Sequence, residues 1–140
     1  MTFENFKILH SETIGYFQLI ENDLKLIYSL MHTGNFYDNY NSLNNSNLGI
    51  ILKLLKELDN SDGKPLISNS DYHFLNQMRE KRNYWCHQAY IDFVYNDNFE
   101  NSVKYKKVCD KLQKDHDQIN LVYQNVHKLK LKANRIYSRK

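Results

Sequence analysis

The chain has 140 residues, 41% hydrophobic and 14% aromatic. That is one domain's length with enough apolar side chains to close a core, which excludes a disordered chain. Four glycines and one proline are too few for the tight turns of an all-β fold, and no apolar run approaches the roughly 20 residues of a membrane span. The formal charge of +3 is unevenly spread: residues 1–103 hold 8 Lys and Arg against 13 Asp and Glu, and residues 104–140 hold 11 against 3. This polarity fits either a phosphate-rich partner for the C-terminal part or a solvated lysine face.

The first predicted element runs from about Phe3 to His32. Phe3, Phe6, His10, Thr13, Phe17, Ile20, Leu24, Ile27 and Met31 recur in steps of three and four, an amphipathic helix seam. Leu9, Ile14, Leu26 and Leu30 widen the stripe, which predicts a central helix. Gly15 weakens it by about 1 kcal/mol relative to alanine, and Gly34 supplies a stop. Residues 34–47, rich in Asn, Tyr and Ser, read as a loop. Leu48 to Leu58 is a short helix, and residues 59–65 form a turn-rich break containing Gly63 and Pro65.

Ser68 and Asp71, three positions apart, open a third helix with a capping box. Its apolar positions, Tyr72, Leu75, Met78, Trp85, Ala89 and Phe93, carry it to about Tyr95. The fourth helix starts near Ser102 and reaches toward Tyr137 along Val108, Leu112, Ile119, Val122, Val126, Leu129 and Ala133. With no repeat, linker or strand alternation, residues 1–140 read as one all-α domain, a bundle of about four helices in an up-and-down order. Cys86 and Cys109 have neither metal-ligand nor disulfide-framework spacing. The N-terminus lacks a signal-peptide pattern. The expectation is a soluble cytoplasmic protein with reduced thiols and no membrane association.

The densest chemistry lies in Lys81-Arg82-Asn83-Tyr84-Trp85-Cys86-His87. A histidine moves a proton near neutral pH, and an arginine holds phosphate charge. At about 100° per residue, Arg82 and His87 stand about 140° apart, while Glu80, Asn83, His87 and Tyr90 share one strip with Arg82 at its margin. Asn83 and Glu80 are placed to orient the imidazole or tune its proton affinity. The bland alternative is an ion pair for Arg82 and a satisfied, partly buried His87.

At these residues the chain resembles the HEPN family, whose hallmark is Arg, four to six residues, then His, often with a polar residue directly after the Arg. Here these are Arg82, Asn83 and His87, and the run Lys81 to Gln88 is similar to small bacterial members linked to phage defence and toxin systems. The resemblance covers nearly the whole chain and implies a helical bundle with the motif on a late helix. It also implies a metal-independent endoribonuclease, without a cofactor, working on RNA as a homodimer. Arg82, Asn83 and His87 would be its catalytic residues, and an antitoxin or regulatory protein is a further implied partner. Family toxins paired with a nucleotidyltransferase-like antitoxin carry a tyrosine two positions past the histidine. Here Tyr90 stands three past, a departure from that pattern. Some members only bind RNA or protein, so a non-catalytic helical module is the alternative.

Lys81, Tyr84, Tyr90 and Glu80 are the candidate substrate contacts. Tyr84, Trp85 and Tyr90 have rings able to stack unpaired bases, with Trp85 weighed as core and Tyr84 as the better-exposed ring. Lysines 104, 106, 107, 111 and 114 are placed to guide a phosphate backbone. No metal-ligand spacing links the histidines, His10 reads as a satisfied core residue, and a Gly-rich phosphate loop is absent.

Overall fold

The computed structural model describes residues 1–137, and among these it is all-α with no strand. Five α-helices follow one another: α1 (Phe3–Met31), α2 (Phe36–Asn41), α3 (Leu48–Asp59), α4 (Asn69–His87) and α5 (Val103–Tyr137), with a 3₁₀ turn at Phe99–Asn101 before the last. The apolar seam of α1 does what its spacing predicts. Phe6, Phe17, Ile20, Leu24 and Ile27 are buried, and Thr13 is buried with its hydroxyl donating to the Leu9 carbonyl. α5 buries Val108, Leu112, Ile119, Val122, Val126 and Ala133 from the predicted line, with Leu129 packed at its edge.

α1 and α5 run parallel. The Tyr105 hydroxyl donates to the Met1 carbonyl at 3.0 Å, His116 Nε2 lies 2.8 Å from Glu12 Oε2, and His127 Nδ1 lies 3.2 Å from Asp23 Oδ2. Every pair is 104 positions apart. The pairs recur every eleven residues because eleven steps make three turns plus about 20°, which returns to the same helix face. α4 is antiparallel to both, since Arg82 meets Glu21 while Trp85, further along, meets His10. Four alternating helices would set the first and last opposed; here an additional helix stands between α1 and α3, making five, and α1 and α5 point the same way.

That additional helix, α2, lies within the predicted loop. It buries none of its own residues, so it has no apolar period to read. It stands on its cap: the Asn35 side chain accepts from the Tyr37 and Asp38 N–H groups. Gly34, at φ +100°, makes the turn out of α1 in a region other residues rarely adopt. The break after α3 is organised by a buried carboxylate. Asp59 accepts from the Leu66 and Ile67 N–H groups and from the Tyr72 hydroxyl at 2.7 Å, tying α3 to α4.

Candidate functional site

α4 begins as its sequence dictates, with the Ser68 hydroxyl accepting from the Asp71 N–H at 3.1 Å. Its inward row is Tyr72, Leu75, Met78 and Trp85, all buried. Arg82 falls on that row, one turn before Trp85, and so stands half-buried against α1, where its Nη1 donates to Glu21 Oε2 at 2.9 Å. Only this one guanidinium N–H group bonds to protein among the described residues. The others remain available, with the side chain 24% exposed.

Lys81 is held from the other side. Its ammonium donates to Asp115 Oδ1 at 3.1 Å and to the Gln118 side chain. Asp115 also accepts from Trp85 Nε1 at 2.9 Å through its second oxygen. This carboxylate is buried in α5 with both oxygens occupied, so it locks the turn carrying residues 81–85 against α5. Trp85 is core, as weighed from its sequence position.

Glu80, Asn83 and His87 lie on the outer face of α4 and are exposed. His87 is the last residue of the helix. The other histidines all have partners: His10 bonds to the Trp85 carbonyl, His32 to the Thr33 carbonyl, His73 to Gln77, His116 to Glu12 and Asp117, and His127 to Asp23. His87 has no hydrogen-bond partner among the described residues, so both of its ring nitrogens are open to an outside molecule.

The third helix does not run to Tyr95. It ends at His87 because Gln88 leaves helical geometry at φ −122° and the Ala89 N–H folds back onto the Tyr84 carbonyl, burying Ala89 and Phe93. Tyr90 therefore leaves the strip of Glu80, Asn83 and His87. Its ring packs edge-on against Phe3, Phe6 and His10, and burial pushes its hydroxyl above the usual phenol range. The turn is tied by Asp92, which accepts from Gln88 Nε2 at 2.9 Å and from the Tyr84 hydroxyl at 2.8 Å. These two bonds, then Lys111 and Lys104, hold the Asp92 carboxyl below its usual range. Burial and the bond to Asp92 push the Tyr84 hydroxyl far up, so it stays a proton donor. The Tyr84 ring is half-buried, with the Lys111 ammonium 3.4 Å from its centroid.

The cluster of lysines is divided by α5. Lys104, Lys107 and Lys111 line a cleft with Tyr84 and Asp92, whereas Lys106 lines a separate cavity of about 550 Å³ beside Met1 and Cys109. Burial raises the Cys109 thiol, which keeps it protonated at neutral pH. Among the described residues no three His, Cys, Asp or Glu side chains converge as a metal site.

Glu21, Asp92, Gln88 and Asp115 position this region and were not anticipated. Asp115 alone left a signal: it falls between Leu112 and Ile119 on the apolar line of the last helix, where a carboxylate must find buried donors. No protein-family model matches the chain, and no curated protein or solved structure matches it either.

Proposed function

We propose that the protein is a metal-independent endoribonuclease of the HEPN type, acting as a dimer, with His87 moving protons and Arg82 holding the scissile phosphate. The observation that carries the reading is the state of His87. It is the one histidine of six without a hydrogen-bond partner among the described residues, and it is exposed at the end of α4 with Asn83 exposed one turn earlier. An imidazole serving the fold is bonded to it, as His10 is to the Trp85 carbonyl.

The chemistry needs two proton transfers. One neutral imidazole removes the 2′-hydroxyl proton. The 2′-oxygen then attacks phosphorus, and a protonated imidazole gives its proton to the departing 5′-oxygen. The products are a 2′,3′-cyclic phosphate and a 5′-hydroxyl end. One chain carries a single His87, and a symmetric pair carries two. Exposed Ile91, Val94 and Tyr95, in the turn that follows His87, offer apolar surface for that pairing. Arg82, oriented by Glu21 through one N–H, has further N–H groups to give to the phosphate oxygens, and Asn83 is placed to hold His87 or the phosphate.

Purified protein incubated with single-stranded RNA and a chelator tests this. Wild type is expected to leave cyclic-phosphate ends, and both His87→Ala and Arg82→Ala to lose cleavage by about a hundredfold or more. Equal cutting by wild type and His87→Ala, or no cutting of any RNA, rejects it. The setting is a toxin or phage-defence system, so expression is expected to slow growth and Arg82→Ala to relieve the arrest.

A second reading, a non-catalytic helical RNA-binding or protein-interaction module, is favoured by the Arg82–Glu21 pair, which also serves as a tie between α4 and α1. It predicts that Glu21→Gln lowers stability and leaves RNA uncut, whereas the ribonuclease reading predicts a changed cleavage rate.

A further inference from the structure

Between the C-terminal end of α4 and the first turns of α5 lies a cleft of about 360 Å³ lined by Tyr84, Asp92, Lys104, Lys107, Val108 and Lys111. Its charge follows from helix geometry. Positions 104, 107 and 111 fall within about 60° of one another around α5, so three lysine side chains line one concavity along about 10 Å of helix. Lys106 points elsewhere. None of the three lysines forms an ion pair within 4.0 Å among the described residues. The single carboxylate in the cleft, Asp92, has one oxygen taken by Gln88 and the other by the Tyr84 hydroxyl. Three positive charges thus stand against one negative charge already engaged by neutral donors.

Lys111 supplies the second observation. Its ammonium rests on the Tyr84 ring, 3.4 Å from the centroid, in place of a carboxylate. Without an ion pair within 4.0 Å among the described residues, this ammonium is held by the ring and by the longer-range pull of Asp92, so a phosphate can draw it away, and its departure bares an aromatic face. Val108 continues that floor as apolar surface.

We propose that this cleft binds the phosphodiester backbone of single-stranded RNA, with Lys104, Lys107 and Lys111 on successive phosphates and an unpaired base on the ring that Lys111 vacates. A concave site with an aromatic floor fits a nucleotide, whereas a flat lipid surface would need its lysines on a convex face. The inference takes its ligand from the ribonuclease reading, and it deepens that reading by assigning how the substrate is tracked. Tyr84 lies three positions before His87 on α4, about 60° away around the helix, so this subsite sits within one turn of the open imidazole.

Binding of a short, labelled, 2′-O-methylated single strand across a salt series tests the cleft apart from cleavage, because that strand lacks the attacking hydroxyl. The double variant Lys104→Gln/Lys107→Gln is expected to flatten the log–log salt slope by about 1.4 and to bind about 25-fold more weakly at about 0.1 M salt. The control Lys128→Gln/Lys132→Gln, two exposed lysines further along α5, removes equal charge and is expected to keep the wild-type slope. A double variant indistinguishable from wild type, a control that loses as much, or a preference for duplex over single strand overturns the proposal. Loss of slope in a protein that cuts nothing leaves the cleft standing and removes the ribonuclease reading. Intact cutting with an unchanged slope does the reverse.

Discussion

Replacing Asp115 by alanine tests how the motif turn is held. The substitution strips Trp85 Nε1 of the one acceptor it has among the described residues, and Lys81 of its carboxylate. A buried indole N–H left unpaired costs about 1–3 kcal/mol. The ion pair contributes about 1 kcal/mol, a partial value because Lys81 is 27% exposed although the Asp115 side chain is only 4% exposed. Together the loss is about 2–4 kcal/mol. For a urea slope of about 1.5 kcal/mol per molar, the midpoint falls by about 1.3–2.7 M. The chain's single tryptophan is Trp85, so its own fluorescence reports the unfolding of the turn in question. Asp115→Asn keeps an acceptor for the indole but turns an amide toward the ammonium, and it is expected to lose about half as much. A midpoint for Asp115→Ala within about 0.3 M of wild type would refute the claim that this carboxylate locks α4 to α5.

Gly15→Ala places a methyl group where nothing lies within 4 Å, so the helix gains about 1 kcal/mol and Tm rises by about 4 °C. A fall in Tm by calorimetry would contradict the open space seen at this position. Asp92 has a depressed carboxyl, so its ionised form favours the folded state. Its contribution is present above the ordinary value of 3.8 and is lost as pH falls through the lower folded-state value. Asp92→Asn is therefore expected to lower the urea midpoint at neutral pH and to match wild type once both are acidified below that value. A gap that persists in acid disproves the assignment. Maleimide labelling of native protein is expected to modify Cys86, which is exposed, and to spare Cys109, which is buried with a raised thiol until the chain unfolds. Two fast-reacting thiols would show that the α5 packing around Cys109 opens.

The long helices were legible in the sequence because their information is local. The apolar period of α1, the short run of α3, the Ser68 cap of α4 and the line from Val108 to Ala133 each declare a buried face without reference to any partner. α2 was invisible for the same reason, since a helix resting on an asparagine cap has no buried face to announce. The end of α4 depended on Asp92 and on the aromatic side chains that Phe3 and Phe6 bring to Tyr90 and Phe93, contacts supplied by distant parts of the chain.

The candidate site divides in the same way. That residues 80–87 form a helical turn crowded with polar side chains follows from order and spacing alone. Which of those side chains are spent on the fold does not. Lys81 finds its carboxylate 34 positions away and Arg82 finds one 61 positions away, and His87 finds none among the described residues. Periodicity assigns a side chain to a face, but only the packing of one helix on another decides whether a counter-charge waits there. Tertiary structure therefore left the imidazole open, anchored the lysine, half-committed the arginine, and gathered Lys104, Lys107 and Lys111 into the cleft beside Tyr84.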